Sequence, residues 1–209
     1  MSGVAAIVFA AGLSSRMGFN KLTADLCGAP VLGHVTSKVA SITGFHARIL
    51  VVGFEHQKVL SAVRGYGLEE FHVVYNSSYK SGLSTSMRLG INAAGSSAAY
   101  MFIHGDMPFV RKTTIETLIN VFEEKRPLIL APVYKGRRGL PVIVDSRLES
   151  ELARIEGDVG ARAIFSRYSK DMLLLDVEDE FILFDIDSPR DLEHARRICN
   201  HMRHTMTPI

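Results

Sequence analysis

The chain has 209 residues, enough for one domain with a substantial core, and its 24 Lys and Arg against 22 Asp and Glu leave a formal net charge of +2. This balance creates no general field that would attract nucleic acid. The first apolar run, residues 4–11, is far shorter than the ~20 residues of a membrane span, and no basic segment precedes it. We therefore expect neither nucleic acid nor a membrane as a partner.

The two cysteines, Cys27 and Cys199, are far apart in sequence and lack CxxC spacing. Hydrophobic residues make up 47% of the chain, so the fold does not need a disulfide to supplement its core. We expect two reduced thiols and a cytoplasmic location.

Strand-like and helix-like segments alternate along the first two thirds of the chain. The apolar, strand-like runs are residues 4–9, 47–52, 71–75, 99–103 and 128–133, and the amphipathic stretches between them are residues 31–41, 57–64, 84–94 and 113–124. This alternation predicts a mostly parallel, Rossmann-like sheet covered on both faces, an α/β three-layer α/β/α sandwich.

The pattern changes after Pro132, where a basic turn at residues 135–139 leads into shorter elements. We expect strands near residues 141–144, 172–176 and 181–184, and short helices near residues 147–155 and 160–168. The last helix is predicted to begin at Pro189, capped by Ser188, and to run to about His201. The predicted organisation is a single domain with a nucleotide-binding part (1–132), an acceptor-binding subdomain (133–187) and a C-terminal helix and tail (188–209).

The most informative segment is the N-terminal loop, residues 10–21, with the sequence AAGLSSRMGFNK. It follows the first strand, so its free backbone N–H groups emerge at a strand's carboxyl end, where open α/β sheets bind ligands. Glycine lets the backbone approach an anion closely, and Arg16 and Lys21 would neutralise that anion. The spacing matches neither the dinucleotide motif GxGxxG nor a P-loop. The loop therefore predicts a polyphosphate site of another kind.

Several segments in order resemble one enzyme family. They are the run A-A-G-x-S-x-R-M-G-x-x-K and residues 20–22, 76–90, 105–108 and 157–162. Together they are similar to the motifs of the molybdenum cofactor cytidylyltransferases and their close relatives among the MobA-like nucleotidyltransferases, and the similarity extends through residues 185–189. The resemblance implies a fold of the nucleotide-diphospho-sugar transferase type. It also implies Mg²⁺-dependent transfer of CMP from CTP to molybdopterin, with release of pyrophosphate.

The resemblance also implies which residues bind the nucleotide: Ala10, Ala11, Gly12, Ser14, Arg16 and Lys21 in the N-terminal loop, and Gly82, Ser84 and Ser86 at the start of a helix. A helix N-terminus offers unpaired N–H groups to an anion or a base edge, although a serine there also serves as an ordinary cap. Arg16 and Lys21 would hold the β- and γ-phosphates and stabilise the charge that grows on the departing pyrophosphate. The alternative is that both are solvated surface cations.

Asp106 follows the strand at residues 99–103 and reaches the same sheet edge as the N-terminal loop. A carboxylate there can bind Mg²⁺, which commonly bridges one or two carboxylates to substrate phosphates. The alternative is a turn aspartate that hydrogen-bonds its own backbone before Pro108. The resemblance implies that Asp106 is a metal ligand and favours Asp187 as the second, although Asp185 is equally near.

Three arginines, Arg137, Arg138 and Arg162, are expected to bind the acceptor phosphate, as guanidinium groups do; the alternative is plain surface charge. Residues 139–141 read Gly-Leu-Pro where many of these cytidylyltransferases read Gly-His-Pro, which leaves the acceptor open. We interpret His104 as a structural residue, because a phosphate acceptor is already ionised and needs no general base.

Other functions stay open at this point. The enzyme alternatives are a different phosphorylated acceptor, such as a sugar phosphate or a phosphorylated alcohol, or the use of GTP. We expect CTP, because Ala11 stands where guanylyltransferase relatives carry glycine, which would let a purine lie closer. The non-enzyme alternatives are a carrier that delivers the finished cofactor to a molybdoenzyme and a dinucleotide-binding module.

Overall fold

The computed structural model describes residues 3–205, and the side chains of residues 3–202. The strands are β1 (Val4–Ala10), β2 (Asp25–Leu26), β3 (Ala29–Pro30), β4 (Phe45–Val52), β5 (His72–Tyr75), β6 (Ala99–His104), β7 (Ile129–Tyr134), β8 (Arg137–Arg138), β9 (Val142–Asp145) and β10 (Met172–Asp176). The helices are α1 (Val31–Ala40), α2 (His56–Ala62), α3 (Leu83–Ala94), α4 (Lys112–Lys125), α5 (Glu149–Ala153) and α6 (Pro189–Thr205). Short 3-10 helices lie at Lys21–Thr23, Leu68–Glu70, Tyr79–Ser81, Ser146–Leu148, Gly160–Ile164 and Glu180–Leu183.

One large sheet, with strand order β10-β7-β9-β6-β1-β4-β5, forms the middle of the molecule. β1 pairs in parallel with β4 on one side and with β6 on the other, and β5 continues the parallel half. β9 runs antiparallel between β6 and β7, whereas β10 is parallel to β7. The carboxyl ends of β1 and β6 therefore meet at one edge of the sheet, which is where the predicted site residues follow.

Both faces of the sheet are buried. On β1, Val4, Ala6 and Val8 pack into one hydrophobic cluster with side chains of α1 and α4, and Ala5 and Ile7 pack into another with side chains of α3 and α5. Because successive strand residues point to opposite faces, a strand buried on both sides reads as a continuous apolar run. The predicted three-layer sandwich with a mostly parallel sheet is confirmed.

Close packing sets α3 beside β1. A Cβ at Gly90 would lie 2.4 Å from Cγ2 of Ile7, so only glycine lets the helix approach the strand this closely. The N-terminus of α3 thereby lies at the sheet edge where the N-terminal loop emerges.

Three short elements in the last part of the chain differ from the prediction. Residues 181–183 of the strand expected at 181–184 belong to the 3-10 helix Glu180–Leu183, and Phe184 follows it. The side chain of Asp179 accepts a hydrogen bond from the Phe181 N–H at 3.1 Å, and such a local bond stabilises a turn rather than a strand. The helices near 147–155 and 160–168 are also shorter than expected, namely Glu149–Ala153 and the 3-10 helix Gly160–Ile164.

The expectation of two separate thiols is wrong. Cys27 and Cys199 form a disulfide with their Cα atoms 6.5 Å apart, which links the β2–β3 turn to α6. Sequence spacing does not reveal this pair, because 172 positions separate the two residues and only the docking of α6 brings them together. The cysteine argument for a reduced, cytoplasmic setting therefore loses its basis. Of the helices within residues 3–205, none has the length and apolar character needed to cross a membrane.

The division of the chain into a nucleotide-binding part, an acceptor-binding subdomain and a C-terminal helix remains a prediction, but the strand pairing is relevant to it. β9 and β10 come from the segment proposed as the acceptor-binding subdomain, and both pair with strands of the main sheet. The last helix begins at Pro189 as predicted.

Candidate active site

A cleft of about 580 Å³ opens at the carboxyl ends of β1 and β6. Of the residues predicted to bind nucleotide or metal, those that border it are Ala11, Gly12, Ser14, Arg16, Lys21, Gly82, Ser86, Asp106 and Asp187. Residues from four separate stretches of the chain are therefore brought together at one sheet edge.

The N-terminal loop is held at its far end by side chains bonded to backbone. Ser14 accepts a hydrogen bond from the Lys21 N–H at 3.2 Å through its hydroxyl oxygen. Asn20 is buried, accepts from the Leu22 N–H and donates to the Phe54 carbonyl, each at 3.2 Å. These contacts fix the backbone of Lys21 and with it the start of its side chain. Gly12 faces open space, since a Cβ there would have no neighbour within 4 Å.

Lys21 lies between two carboxylates. Its Nζ is 2.5 Å from Oδ2 of Asp106 and 2.7 Å from Oδ1 of Asp187, and the Lys21 and Asp106 side chains are only 12% and 14% exposed. Arg16 adds a second cation, with Nη2 at 2.7 Å from Oδ2 of Asp187. The lysine of the N-terminal loop is thus in contact with carboxylates from two other parts of the chain.

The pKa shifts follow from this arrangement. Burial alone would lower the pKa of Lys21, but the charges and hydrogen bonds of Asp106 and Asp187 outweigh it and the pKa is raised. Burial alone would raise the pKa of Asp187, but Lys21 and Arg16 outweigh it and the pKa is lowered. Lys21 and Asp187 are therefore both charged at neutral pH.

Asp185 differs from Asp187. Its pKa is raised, first by burial and then by the charges of Asp187 and Asp106. Asp187 borders the cleft and pairs with Lys21, whereas Asp185 is not among the residues that line it. The geometry favours Asp187 over Asp185 as the second candidate metal ligand.

The carboxylates suit a hard divalent cation. Oδ1 of Asp106 is buried and has no hydrogen-bond partner, which is costly for a carboxylate oxygen unless a ligand supplies one. Within residues 3–205, no group of three or more His, Cys, Asp or Glu side chains is placed to hold a metal by itself. An ion held by Asp106 and Asp187 would therefore complete its coordination with water and, once substrate is bound, with phosphate oxygens, as Mg²⁺ commonly does in such sites.

The N-terminus of α3 is less open than expected. The Leu83 N–H donates to Oδ1 of Asp158 at 3.1 Å, and the Ser84 N–H donates to the Gly157 carbonyl at 3.0 Å. Gly82 has φ of 100°, and a Cβ there would lie 2.4 Å from the Gly157 carbonyl carbon. Two of the N–H groups that we expected to face an anion are thus bonded to residues 157–158.

The two serines predicted to bind the nucleotide differ in their surroundings. The hydroxyl of Ser84 is buried without a hydrogen-bond partner, whereas Ser86 borders the cleft and its hydroxyl accepts a hydrogen bond from Asn76 at 2.9 Å.

The comparison with protein families agrees with this geometry. The sequence model of the family described as the MobA-like NTP transferase domain matches residues 6–172. The chain belongs to the MobA-like NTP transferases. The matched segment includes the N-terminal loop, Asp106 and residues 157–158, and ends before Asp187.

Two curated relatives of this MobA-like transferase have different names. The molybdenum cofactor cytidylyltransferase of Escherichia coli is 25% identical over 203 residues, which cover 94% of this chain and 97% of the relative. The nicotine blue oxidoreductase of Paenarthrobacter nicotinovorans is 25% identical over 193 residues, covering 88% and 92%. Family membership supports a nucleotidyltransferase enzyme, and the two names differ in activity.

Solved structures show the same fold. The crystal structure of Rv0371C from Mycobacterium tuberculosis in complex with manganese has a TM-score of 0.78 and 23% identity, and the match covers 94% of this chain and 99% of that one. Manganese is a divalent cation of the kind that carboxylate and phosphate oxygens bind.

The predicted acceptor arginines of this MobA-like transferase are not among the residues that line the cleft. Arg137 and Arg138 are exposed on β8, and the Arg138 guanidinium lies 4.5 Å above the ring of Phe165. Arg162 is exposed on the 3-10 helix Gly160–Ile164. The structure does not bring these three side chains to the cleft, and their binding of the acceptor stays a prediction.

Ala10, also predicted to bind nucleotide, is 1% exposed at the end of β1 and is not among the cleft residues. Leu140, within the Gly-Leu-Pro segment at residues 139–141, packs against the hydrophobic core and donates its N–H to the Ile182 carbonyl at 2.9 Å. His104 borders the cleft with its ring edge-on to Phe9 at 5.8 Å between centroids.

Sequence reasoning missed several residues that line the cleft, among them Leu13, Tyr79, Lys80 and Asp158. Lys80 lies within the segment 76–90 that carried part of the resemblance, and an isolated cation so near the predicted helix start was a usable signal. Asp158 lies in another such segment, residues 157–162, but nothing local indicated its contact with Leu83, which is 75 residues away in the chain.

Proposed function

We propose that the protein transfers CMP from CTP to the terminal phosphate of molybdopterin carrying molybdenum, with release of pyrophosphate and with Mg²⁺ as cofactor. The observation that carries this proposal is Lys21, whose Nζ bridges Asp106 and Asp187 beside Arg16 in the cleft. Two cations and two carboxylates at one sheet edge suit a triphosphate and a divalent ion together. The E. coli relative, named for cytidylyl transfer to the molybdenum cofactor, supports the choice of nucleotide and acceptor.

In the proposed reaction, an oxygen of the acceptor phosphate attacks the α-phosphorus of CTP in line with the bond to the β-phosphate. That bond breaks, and its electron pair leaves with pyrophosphate. The acceptor oxygen is already ionised, so no proton has to be removed and His104 has no catalytic role. Positioning and charge stabilisation therefore carry most of the catalysis.

Lys21 and Arg16 have the charge and the position to bind the departing phosphates. Both pair with Asp187 in the structure, so a triphosphate that enters the cleft competes for cations already held at its floor. The developing charge on pyrophosphate strengthens these contacts as the bond breaks, and interactions that grow in the transition state raise the maximal rate.

Asp106 and Asp187 would hold Mg²⁺, and the unpartnered Oδ1 of Asp106 is the strongest support for this. When bound, the ion supplies neutralisation of phosphate charge in the transition state. A manganese-containing structure of the same fold supports a divalent ion here.

The product would pass to a molybdoenzyme that uses the cytidylylated cofactor. Transfer to a different small phosphorylated acceptor is the second candidate, because Leu140 is apolar and packs against the hydrophobic core at a position where the family resemblance leads us to expect histidine. The hypothesis that the protein is a carrier is disfavoured, since a protein that only holds the finished cofactor needs no pair of carboxylates to bind a metal on a triphosphate.

Mass spectrometry of the products tests the proposal. The protein is incubated with Mg²⁺, molybdopterin and either CTP or GTP, and then with CTP and a sugar phosphate. The expected result is a CMP adduct of molybdopterin with stoichiometric pyrophosphate. An adduct formed only from GTP, or only on the sugar phosphate, contradicts the named substrates, and no pyrophosphate under any condition contradicts nucleotidyl transfer.

A further inference from the structure

Lys38 on α1 makes an unusual set of contacts for a lysine. Its ammonium group donates to the carbonyl of Pro108 at 2.8 Å and also to the carbonyl of Val110. It borders a small cavity of about 10 Å³ whose other lining residues include Val35 and Ile103. Burial lowers the pKa of Lys38 to about 8, opposed by the negative charge of Asp179. The ammonium group of Lys38 is thus removed from water, which costs free energy, and its two hydrogen bonds to backbone carbonyls offset part of that cost.

Both carbonyls belong to the Asp106 loop, residues 105–111, which connects β6 to α4. The other end of this loop is held by Asp179, which is 1% exposed. Oδ2 of Asp179 accepts from the Arg111 N–H at 2.9 Å and from the Thr114 hydroxyl at 2.7 Å. Lys38 therefore holds two carbonyls of the loop, and Asp179 holds the backbone N–H of its last residue, Arg111.

The Asp106 loop also fixes the second carboxylate. The carbonyl of Asp106 accepts from the Ile186 N–H at 3.0 Å, which places Asp187, the next residue, beside it. A shift of the loop would therefore move Asp106 and change its separation from Asp187. Lys21, which contacts both carboxylates, would lose one of them.

We propose that Lys38 is a positioning residue for the candidate metal site: by holding the carbonyls of Pro108 and Val110, it sets the place of Asp106 relative to Asp187. Lys38 contacts neither carboxylate and acts only through the loop. The inference rests on the proposed function insofar as it takes Asp106 and Asp187 to be metal ligands.

The test is the variant Lys38→Met, which keeps an unbranched side chain of similar length and removes the donors. Mn²⁺ alone is titrated into the protein, and uptake is followed by loss of the free-ion EPR signal. We expect about 10-fold weaker Mn²⁺ binding than in the wild type, the scale seen when a group that orients a metal ligand is removed. In turnover, the Mg²⁺ concentration for half-maximal pyrophosphate release should rise by a similar factor, and the KM for CTP should change less.

The matched control is Arg147→Met. Arg147 also holds a loop by donating to a backbone carbonyl, that of Arg126 at 2.8 Å, and it pairs with Asp145. Asp145 lies opposite Ala99, at the end of β6 away from the site. Arg147→Met should lower the melting temperature while Mn²⁺ affinity stays within about twofold of the wild type, because distant sites act independently. A general loss of stability would instead weaken Mn²⁺ binding in both variants.

Wild-type Mn²⁺ affinity in Lys38→Met overturns the inference, and so does a wild type that takes up no Mn²⁺. If Lys38→Met does not fold, Lys38→Gln retains an amide donor for one carbonyl and should show a smaller loss in the same direction. Unchanged Mn²⁺ binding in that variant also overturns the inference. Mn²⁺ uptake requires no turnover, so a wild type that binds Mn²⁺ without forming a CMP adduct contradicts the proposed function and leaves the role of Lys38 intact.

Discussion

At the scale of single residues, the site is a chain of ion pairs running from Arg16 through Asp187 and Lys21 to Asp106. Each member comes from a loop that follows a strand or precedes a helix, and the side chains meet because the carboxyl ends of β1 and β6 are adjacent. Arg16, Lys21 and Asp106 were predictable for this reason, since strand-end residues of a parallel sheet share an edge. The direct contact of Lys21 with both carboxylates was not, because it depends on how the loops bend.

Lys21→Ala should lower kcat rather than raise KM, because a cation on the leaving group contributes most when charge develops there. We expect a loss of about 2–4 kcal/mol of transition-state stabilisation, as for removal of one charge-stabilising donor. Steady-state kinetics with CTP measure this, with Lys58→Ala as control, since Lys58 pairs with Glu55 on the surface. If only the KM for CTP rises while the maximal rate is unchanged, Lys21 binds substrate and transition state equally and the proposed role is wrong.

Ala11 is the residue through which we expect the base to be selected. It borders the cleft, and its Cβ would lie 2.8 Å from a Cβ built on Gly53, so the space around it is narrow. The wild type should prefer CTP over GTP, and Ala11→Gly should reduce that preference by about 1–3 kcal/mol at most, the usual effect of one methyl group. Competition of CTP and GTP in a single reaction gives the ratio directly. Equal use of both nucleotides by the wild type would remove the cytidylyl assignment and leave nucleotidyl transfer in place.

At the scale of elements, residues 157–158 act as the cap of α3 in place of a side chain from its own N-terminus. Asp158 and the Gly157 carbonyl accept the N–H groups of Leu83 and Ser84. The sequence predicted a helix over residues 84–94 and a glycine before it, which the structure confirms to within one residue. It could not predict the cap, because local patterns carry no information about a segment so distant along the chain. The same limit applies to the disulfide and to residues 181–184, where a side-chain bond from Asp179 decides the conformation.

Asp158→Ala should destabilise the protein by about 1 kcal/mol, the usual cost of losing a carboxylate that caps a helix. Urea unfolding measures this change, and Glu156→Ala, at an exposed position of the same segment, is the matched control. Stability equal to that of the control variant would show that the bond to the Leu83 N–H contributes nothing net.

At the scale of the whole molecule, the sheet with helices on both faces was predictable, because alternating apolar runs and amphipathic stretches permit few other arrangements. The position of the residues expected to bind the acceptor was less predictable. Arg137, Arg138 and Arg162 are cations without a fixed local pattern, and the structure places them outside the lining of the cleft. Family membership agrees with the sheet and the N-terminal loop, whereas the acceptor of the reaction stays a proposal.

The central claim is that this cleft transfers CMP by means of a metal held at Asp106. The most direct measurement is mass-spectrometric detection of the CMP adduct of molybdopterin, made in parallel for the wild type and Asp106→Asn with Mg²⁺ and CTP. Asparagine keeps the shape of the side chain but removes the charge, so the variant should retain a cooperative thermal transition and form no adduct, while the wild type forms adduct and pyrophosphate. Near-normal adduct formation by Asp106→Asn, or none by the wild type, would contradict the account.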